Sequence, residues 1–236
     1  MKNILAIETA TDACSVAWSD NGRVQQRHEI TPRQHSQRLF AILAELLPSG
    51  RLKEYGIEAV AYGCGPGSFT GLRIAASAVQ GLSYATGLPA IPVSTLAVQA
   101  QTAYRLGLVE DGQLVLSTLD ARINEVYCAW FRMTAGKAGA LTAAQACPPE
   151  RVQLVAGAAD AVAIGSGCEF LERMPVALQQ ALDKVAVQVV PEAHDLITLA
   201  SDQLQAGEVQ AAAEVQPVYV RDEINWKKIP QQGKQT

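Results

Sequence analysis

Apolar and polar positions alternate along this chain in a way that separates strands from helices. Residues 3–7 read as a buried strand, and residues 13–18, ending in Trp18, as its antiparallel neighbour. Asn21-Gly22 then predicts a hairpin turn into a short strand at 23–26. A helix is expected from about Pro32, with Thr31 as its N-cap and proline at the first helical position. Leu39, Ile42, Leu43 and Leu46 recur along it at helical spacing and form one apolar stripe. Residues 59–62 give a short strand that runs into GCGPGSFTGLRIAASAVQG at 63–81. The helix opened there runs to about Thr86, where Gly87-Leu88-Pro89 stops it.

The pattern then resumes. Residues 90–93 form a strand, and Ser94 caps a helix reaching Tyr104. Residues 107–112 read as a link, and 114–119 open a second sheet. The alanine-rich stretch 134–149 has no clear period and is expected to be loop and short helix. Residues 162–164 meet Gly165-Ser166-Gly167, with a helix from Cys168. A last helix at about 195–205 leads to a polar tail beyond Trp226.

An internal echo bears on architecture. The stretch from Glu8 to Trp18 can be laid over that from Asp120 to Trp130: each begins with an acid closing a strand and ends Ala-Trp. Two lobes that each open with strand, acidic turn and strand suggest a duplication, as in the actin-like, sugar-kinase-like fold with a nucleotide cleft between its lobes.

Composition narrows the classes. The 236 residues are 49% hydrophobic and 18% charged, with a net charge of −4, an ordinary globular balance. No basic run exceeds Lys227-Lys228, so unaided nucleic-acid binding is not expected. Five cysteines, an odd number with no CxxC pair, fit small buried thiols in a reducing compartment. Neither a signal peptide nor a membrane-length apolar run is evident, which points to the cytoplasm.

Candidate chemistry centres on the glycine-rich loop: Gly65, Gly67, Ser68, Thr70 and Gly71 put several backbone N–H groups near a helix start. No Lys-Ser/Thr ends it, so it is not a Walker loop, and no ribose-binding acid makes it a dinucleotide fingerprint. A tight strand-to-helix connection is the competing reading. The helix behind it is apolar or small nearly all round. Leu72, Ala75, Ala76, Val79 and Leu82 form one side, and Ile74, Ala78, Gly81 and Ala85 another. Such a helix is buried on both sides, by its own fold or by a partner.

Glu8 and Asp120 could flank a nucleotide cleft, with Gly165 and Gly167 nearby. Yet Thr9-Ala10 and Ala121-Arg122 stand where a phosphate-binding turn needs glycine, and Arg122 could pair with Asp120 instead. His28, His35 and His194 are not at metal-ligand spacing and read as exposed or capping residues. No catalytic residue, metal site or cofactor is expected from these positions.

The combination ILAIETATDACSVAW, GCGPGSFTGLRIAASAVQGLSYATGLPAIPVSTL, LDARINEVYCAWF and PVYVRDE resembles the bacterial TsaB family, formerly YeaZ, in order over nearly the whole chain. GPGSFTGLRI is the most specific block. The resemblance implies an α/β, actin-like (ASKHA) fold with duplicated ribonuclease-H-like lobes. The expected division is residues 1–105 plus 194–225 for the first lobe, 106–193 for a smaller second lobe, and 226–236 for the tail. It further implies a part in forming threonylcarbamoyladenosine beside the anticodon of tRNAs reading codons that begin with A. There a TsaB protein is the non-catalytic partner and activator of the TsaD transferase, joined by the TsaE ATPase, and also pairs with itself; tRNA is met only indirectly. Laying the transferase's HxxxH metal pair on this sequence puts its positions at Thr95 and Gln99, neither able to replace histidine. The family's interface is a helix bundle, for which Leu39, Ile42, Leu43, Leu46, Ile74, Ala78 and Gly81 are the candidates here. The alternative is an enzyme, a glycoprotease-like hydrolase or an ATPase.

Overall fold

The computed structural model describes residues 2–220. The expected tail at 226–236 lies outside the described residues. Three strands, β1 (Asn3–Glu8), β2 (Ala13–Asp20) and β3 (Arg23–Ile30), open the chain, followed by α1 (His35–Leu46) and β4 (Ile57–Gly65). Next come α2 (Phe69–Thr86), β5 (Ala90–Ser94) and α3 (Thr95–Arg105). The second half holds β6 (Leu114–Arg122), β7 (Glu125–Thr134), β8 (Lys137–Ala140), β9 (Gln145–Cys147), β10 (Ala161–Ile164), α4 (Val176–Ala181), β11 (Leu182–Ala186) and α5 (Ala193–Ala206).

The two sheets repeat one topology. The first runs β3-β2-β1-β4-β5, antiparallel through β3-β2-β1 and parallel through β1-β4-β5. The second runs β8-β7-β6-β10-β11 with the same change of sense, and β9 adds to β7. The echo read from the sequence falls on corresponding strands: Trp18 on β2 pairs with Leu5, and Trp130 on β7 with Leu116. Two ribonuclease-H-like units in tandem make the actin-like, sugar-kinase-like fold.

Period-two alternation decides which helices cover which face. Leu5, Ile7, Val16, Val60 and Tyr62 pack against α1 and α2 on the outside. The opposite face carries mostly smaller residues, Ala6, Ala17, Ala59 and Ala61 with Ile4 and Ile91, and receives α5 through Leu196, Ile197 and Ala200. Small side chains let a helix approach a sheet closely. α3 shares this middle layer. Its Val98 joins that core, while Leu96, Ala100 and Ala103 pack on Val115, Phe131 and Val162 of the second sheet. The layers thus run α1/α2, first sheet, α3/α5, second sheet, then Met174 and Leu178 beneath Leu116 and Trp130.

Several local expectations change. β3 extends to Ile30 because it pairs with β2 along its full length, although beyond residue 26 RVQQRHEI offers only Ile30 as an apolar signal. The helix expected from Pro32 begins at His35, since Arg33 takes a left-handed φ of 64° and Thr31 is used in a turn to Gln34. The stretch 134–149 forms β8 and β9. From Ser166 to Arg173 the chain is a 3-10 helix.

Candidate partner interface

The outer face of the first lobe carries a groove of about 510 Å³ between α1 and α2. α1 contributes Ser36 and Phe40 to it. α2 contributes Phe69, Thr70, Arg73, Ile74, Ser77 and Ala78. Phe40 is 60% and Phe69 53% exposed, unusual for phenylalanine on a lone surface. Ile74 and Ala78, two of the candidates from sequence, line this groove, Ala78 from a buried position in the first core. Gly81 is exposed further along α2, and a β-carbon there meets nothing within 4 Å.

The α1 stripe behaves differently. Leu39 and Ile42 are fully buried, Leu43 and Leu46 nearly so, all in the core beneath the first sheet. As partner-binding contacts these four are corrected: the fold uses them itself, and Phe40, one position off the stripe, is what α1 presents. The signal was in the sequence as the one large apolar residue on the polar side of that helix. Phe69 lay at the loop's end, where a loop reading hid it.

The glycine-rich loop is closed by packing. Ser68 caps α2 by accepting from the Gly71 amide at 3.3 Å, and its own amide donates to the Ala10 carbonyl at 2.7 Å. The Thr9 hydroxyl donates to the Gly71 carbonyl at 2.8 Å. A β-carbon on Gly67 sits 2.6 Å from the Ala10 oxygen, and one on Gly71 overlaps the Thr9 carbonyl. Gly65, at φ 123°, faces the Val218 carbonyl at 2.6 Å by the same measure. These glycines admit neighbouring backbone, as the tight-connection reading expects; Thr70 is exposed at the groove.

The residues expected at a nucleotide cleft are engaged within the fold. Glu8 is fully buried, one oxygen accepting from the Ala10 amide at 2.7 Å and the other without a partner. Burial pushes its carboxyl up to about 7, partly offset by the Ala10 and Thr9 amides and the nearby Thr95 hydroxyl, which makes no hydrogen bond of its own. Asp120 accepts from the Arg122 amide at 2.8 Å and pairs with its guanidinium at 3.1 Å. Side chains on Gly165 or Gly167 would run into Thr118, so those glycines let the turn sit against β6. Close packing thus occupies Glu8, Gly165 and Gly167, and Arg122 occupies Asp120.

Thr95 and Gln99 are both buried on α3. Gln99 accepts from the Ser117 hydroxyl at 2.6 Å and donates to the Val189 carbonyl at 2.8 Å, tying α3 to the second lobe. Among the described residues no cluster of histidine, cysteine and carboxylate side chains has a metal-binding arrangement. His35, expected exposed or capping, is buried with Nε2 3.2 Å from the Ala13 carbonyl. All five cysteines are free, and four are buried.

Comparison with known proteins identifies the family. The family model for TsaD, tRNA N6-adenosine threonylcarbamoyltransferase, matches residues 27–226. The tRNA threonylcarbamoyladenosine biosynthesis protein TsaB of Escherichia coli (strain K12) is 37% identical over 232 residues, covering 96% of this chain and 98% of that one. The chain belongs to the TsaB (YeaZ) family. The TsaB of Haemophilus influenzae is 32% identical over 96% of this chain and 97% of its own length. The solved structure of YeaZ from Pseudomonas aeruginosa superposes with a TM-score of 0.85 at 38% identity, over 93% of this chain and all of that one. The same two-lobed architecture therefore extends across family members that share little more than a third of their residues. Among the described residues no helix is long and apolar enough to cross a membrane.

Proposed function

We propose that this chain is the non-catalytic partner and activator of a TsaD-type transferase in the cytoplasmic formation of tRNA threonylcarbamoyladenosine. The observation that carries this reading is the groove between α1 and α2, whose Phe40 and Phe69 leave apolar surface uncovered on one face. Two side-by-side helices with an apolar seam accept further helices as a bundle. The same groove serves pairing with a second copy, and the assembled pair recruits the TsaE ATPase. tRNA is engaged through the transferase, consistent with the net charge of −4.

The interior supports a supporting role over a catalytic one. The loop glycines receive backbone, Gln99 is held at both ends of its amide, and Asp120 is occupied by Arg122. The names of the relatives in Escherichia coli and Haemophilus influenzae place those proteins in the same biosynthesis.

The test is reconstitution by omission. TsaD, TsaE, tRNA and threonylcarbamoyl-adenylate are incubated with and without this protein, and modified adenosine is counted. The proposal expects product only with the chain present, and none from the chain alone. Equal product without it overturns the activator role.

A further inference from the structure

The chain's last described segment, residues 207–220, runs back across the first lobe. Gln210 bridges to Ala90, the Tyr62 hydroxyl lies 3.0 Å from the Gln210 side-chain oxygen and 3.1 Å from the Gln216 carbonyl, and the Val218 amide donates to the Cys64 carbonyl at 2.8 Å. Gln80 of α2 donates to the Ala212 carbonyl at 3.1 Å. This strap ends by delivering Tyr219 to the rim of the groove. The Tyr219 ring packs on Phe69 with centroids 5.5 Å apart, and its hydroxyl accepts from Arg73 Nε at 3.0 Å. The Arg73 guanidinium lies 3.9 Å over the Phe69 ring.

Arg73 is therefore fixed from two sides while, among the described residues, its charge stays unmatched. It enters no ion pair among the described residues, and only Nε is used in a hydrogen bond there. The two terminal nitrogens are left for a ligand with planar, paired acceptors, the geometry of a carboxylate. Holding the guanidinium in place beforehand removes part of the ordering cost of that contact.

Among the described residues the groove offers Arg73 no acid of its own. None of its eight lining residues is acidic, α2 has no acidic residue, and the one acid of α1, Glu45, sits with Arg27 and Arg38. A two-fold contact with a second copy presents the same patch again, and so no free carboxylate from the described residues. Covering Arg73 in that contact strips water from a cation without a partner.

We propose that Arg73, clamped by Phe69 and Tyr219, is the specificity determinant of this groove, selecting a helix of a different protein that carries a carboxylate over a second copy of this chain. This rests on the docking reading of the groove. The apolar floor supplies attachment common to both occupants, and Arg73 supplies the difference between them.

The test measures two equilibria, association with a purified TsaD-type transferase and self-association, for wild type, Arg73→Glu, Tyr219→Phe and Ala78→Arg. Circular dichroism melts check that each variant folds. Arg73→Glu is expected to weaken the hetero-association by about tenfold or more, with self-association unchanged or tighter. Tyr219→Phe, which keeps the ring and loses the acceptor, is expected to weaken hetero-association by a few fold. Wild-type hetero-association is expected to weaken as salt rises, and that slope to flatten in Arg73→Glu. Equal effects of Arg73→Glu on both equilibria, or on neither, overturn the inference. If Ala78→Arg abolishes binding while Arg73→Glu leaves it intact, the groove reading stands and the Arg73 inference fails. Indifference to Ala78→Arg, or no wild-type binding, overturns both.

Discussion

Gly71 lies against the peptide of Thr9 so closely that a β-carbon on it overlaps the Thr9 carbonyl oxygen, while the Thr9 hydroxyl donates back to the Gly71 carbonyl at 2.8 Å. The start of α2 is thereby fixed to the end of β1, and with it the angle at which Phe69, Arg73 and Ile74 reach the surface.

Gly71→Ala is expected to cost roughly 3 kcal/mol or more, since backbone meets backbone and neither side can yield as a flexible side chain does. Gly81→Ala is the contrast. A β-carbon there meets nothing within 4 Å, so helix propensity alone is expected to raise stability by about 1 kcal/mol. Thermal or urea unfolding of both variants checks the pair; equal effects contradict the packing role assigned to the loop.

Leu39 and Phe40 are neighbours in sequence with opposite fates. Leu39→Ala empties a core position and is expected to cost about 2–5 kcal/mol. Phe40→Ala is expected to change stability by about 0.5 kcal/mol at most, yet to weaken binding to a TsaD-type partner. Parallel urea titrations and calorimetry check this, and a binding loss that merely tracks stability contradicts it.

Glu8 makes stability depend on pH. Its carboxyl rises from 4.5 to about 7 on folding because burial disfavours the charge. The native state then holds a proton that the unfolded chain has released. This contribution is fully present below pH 4.5 and is lost as pH rises through 7, amounting to roughly 3 kcal/mol. Glu8→Gln is expected to match wild type near pH 4.5 and to exceed it at pH 8. Unfolding free energies from pH 4.5 to 8 check the difference; a gap that stays constant across that range contradicts the assignment.

Gln99 holds the lobes together through Ser117 and Val189. Gln99→Leu leaves a hydroxyl and a carbonyl buried without partners and is expected to cost about 2–4 kcal/mol. Denaturant unfolding followed at both lobes measures it, and an unchanged midpoint contradicts the linkage.

Much of this architecture was legible in the sequence because its signals are local. Ser94 caps its helix where expected, Gly87 ends α2, and the Trp18–Trp130 echo falls on matching strands of two like sheets. What failed depends on distant partners. β3 was expected only to residue 26 and runs on to Ile30 because β2 pairs with it; residues 134–149 become strands because β7 has edges to cover. At the site, the helical stripe of α1 correctly marked an apolar face. Which body covers that face is a tertiary fact, and the first sheet covers it. Ile74 and Ala78 lie where α2 borders the groove, on a helix apolar beyond what one neighbour explains. The clamp on Arg73 was not legible, because Tyr219 lies 146 residues away in sequence.

The central claim is that a TsaD-type partner docks in the α1/α2 groove, and site-specific photocrosslinking tests it most directly. A photoreactive phenylalanine is placed at position 40 in the groove, or at position 123, where the 76%-exposed Ile123 tips the β6–β7 hairpin of the other lobe. Crosslinks to the transferase from position 40 and none from position 123 are the expected result. Efficient crosslinking from position 123 with none from position 40 contradicts the account.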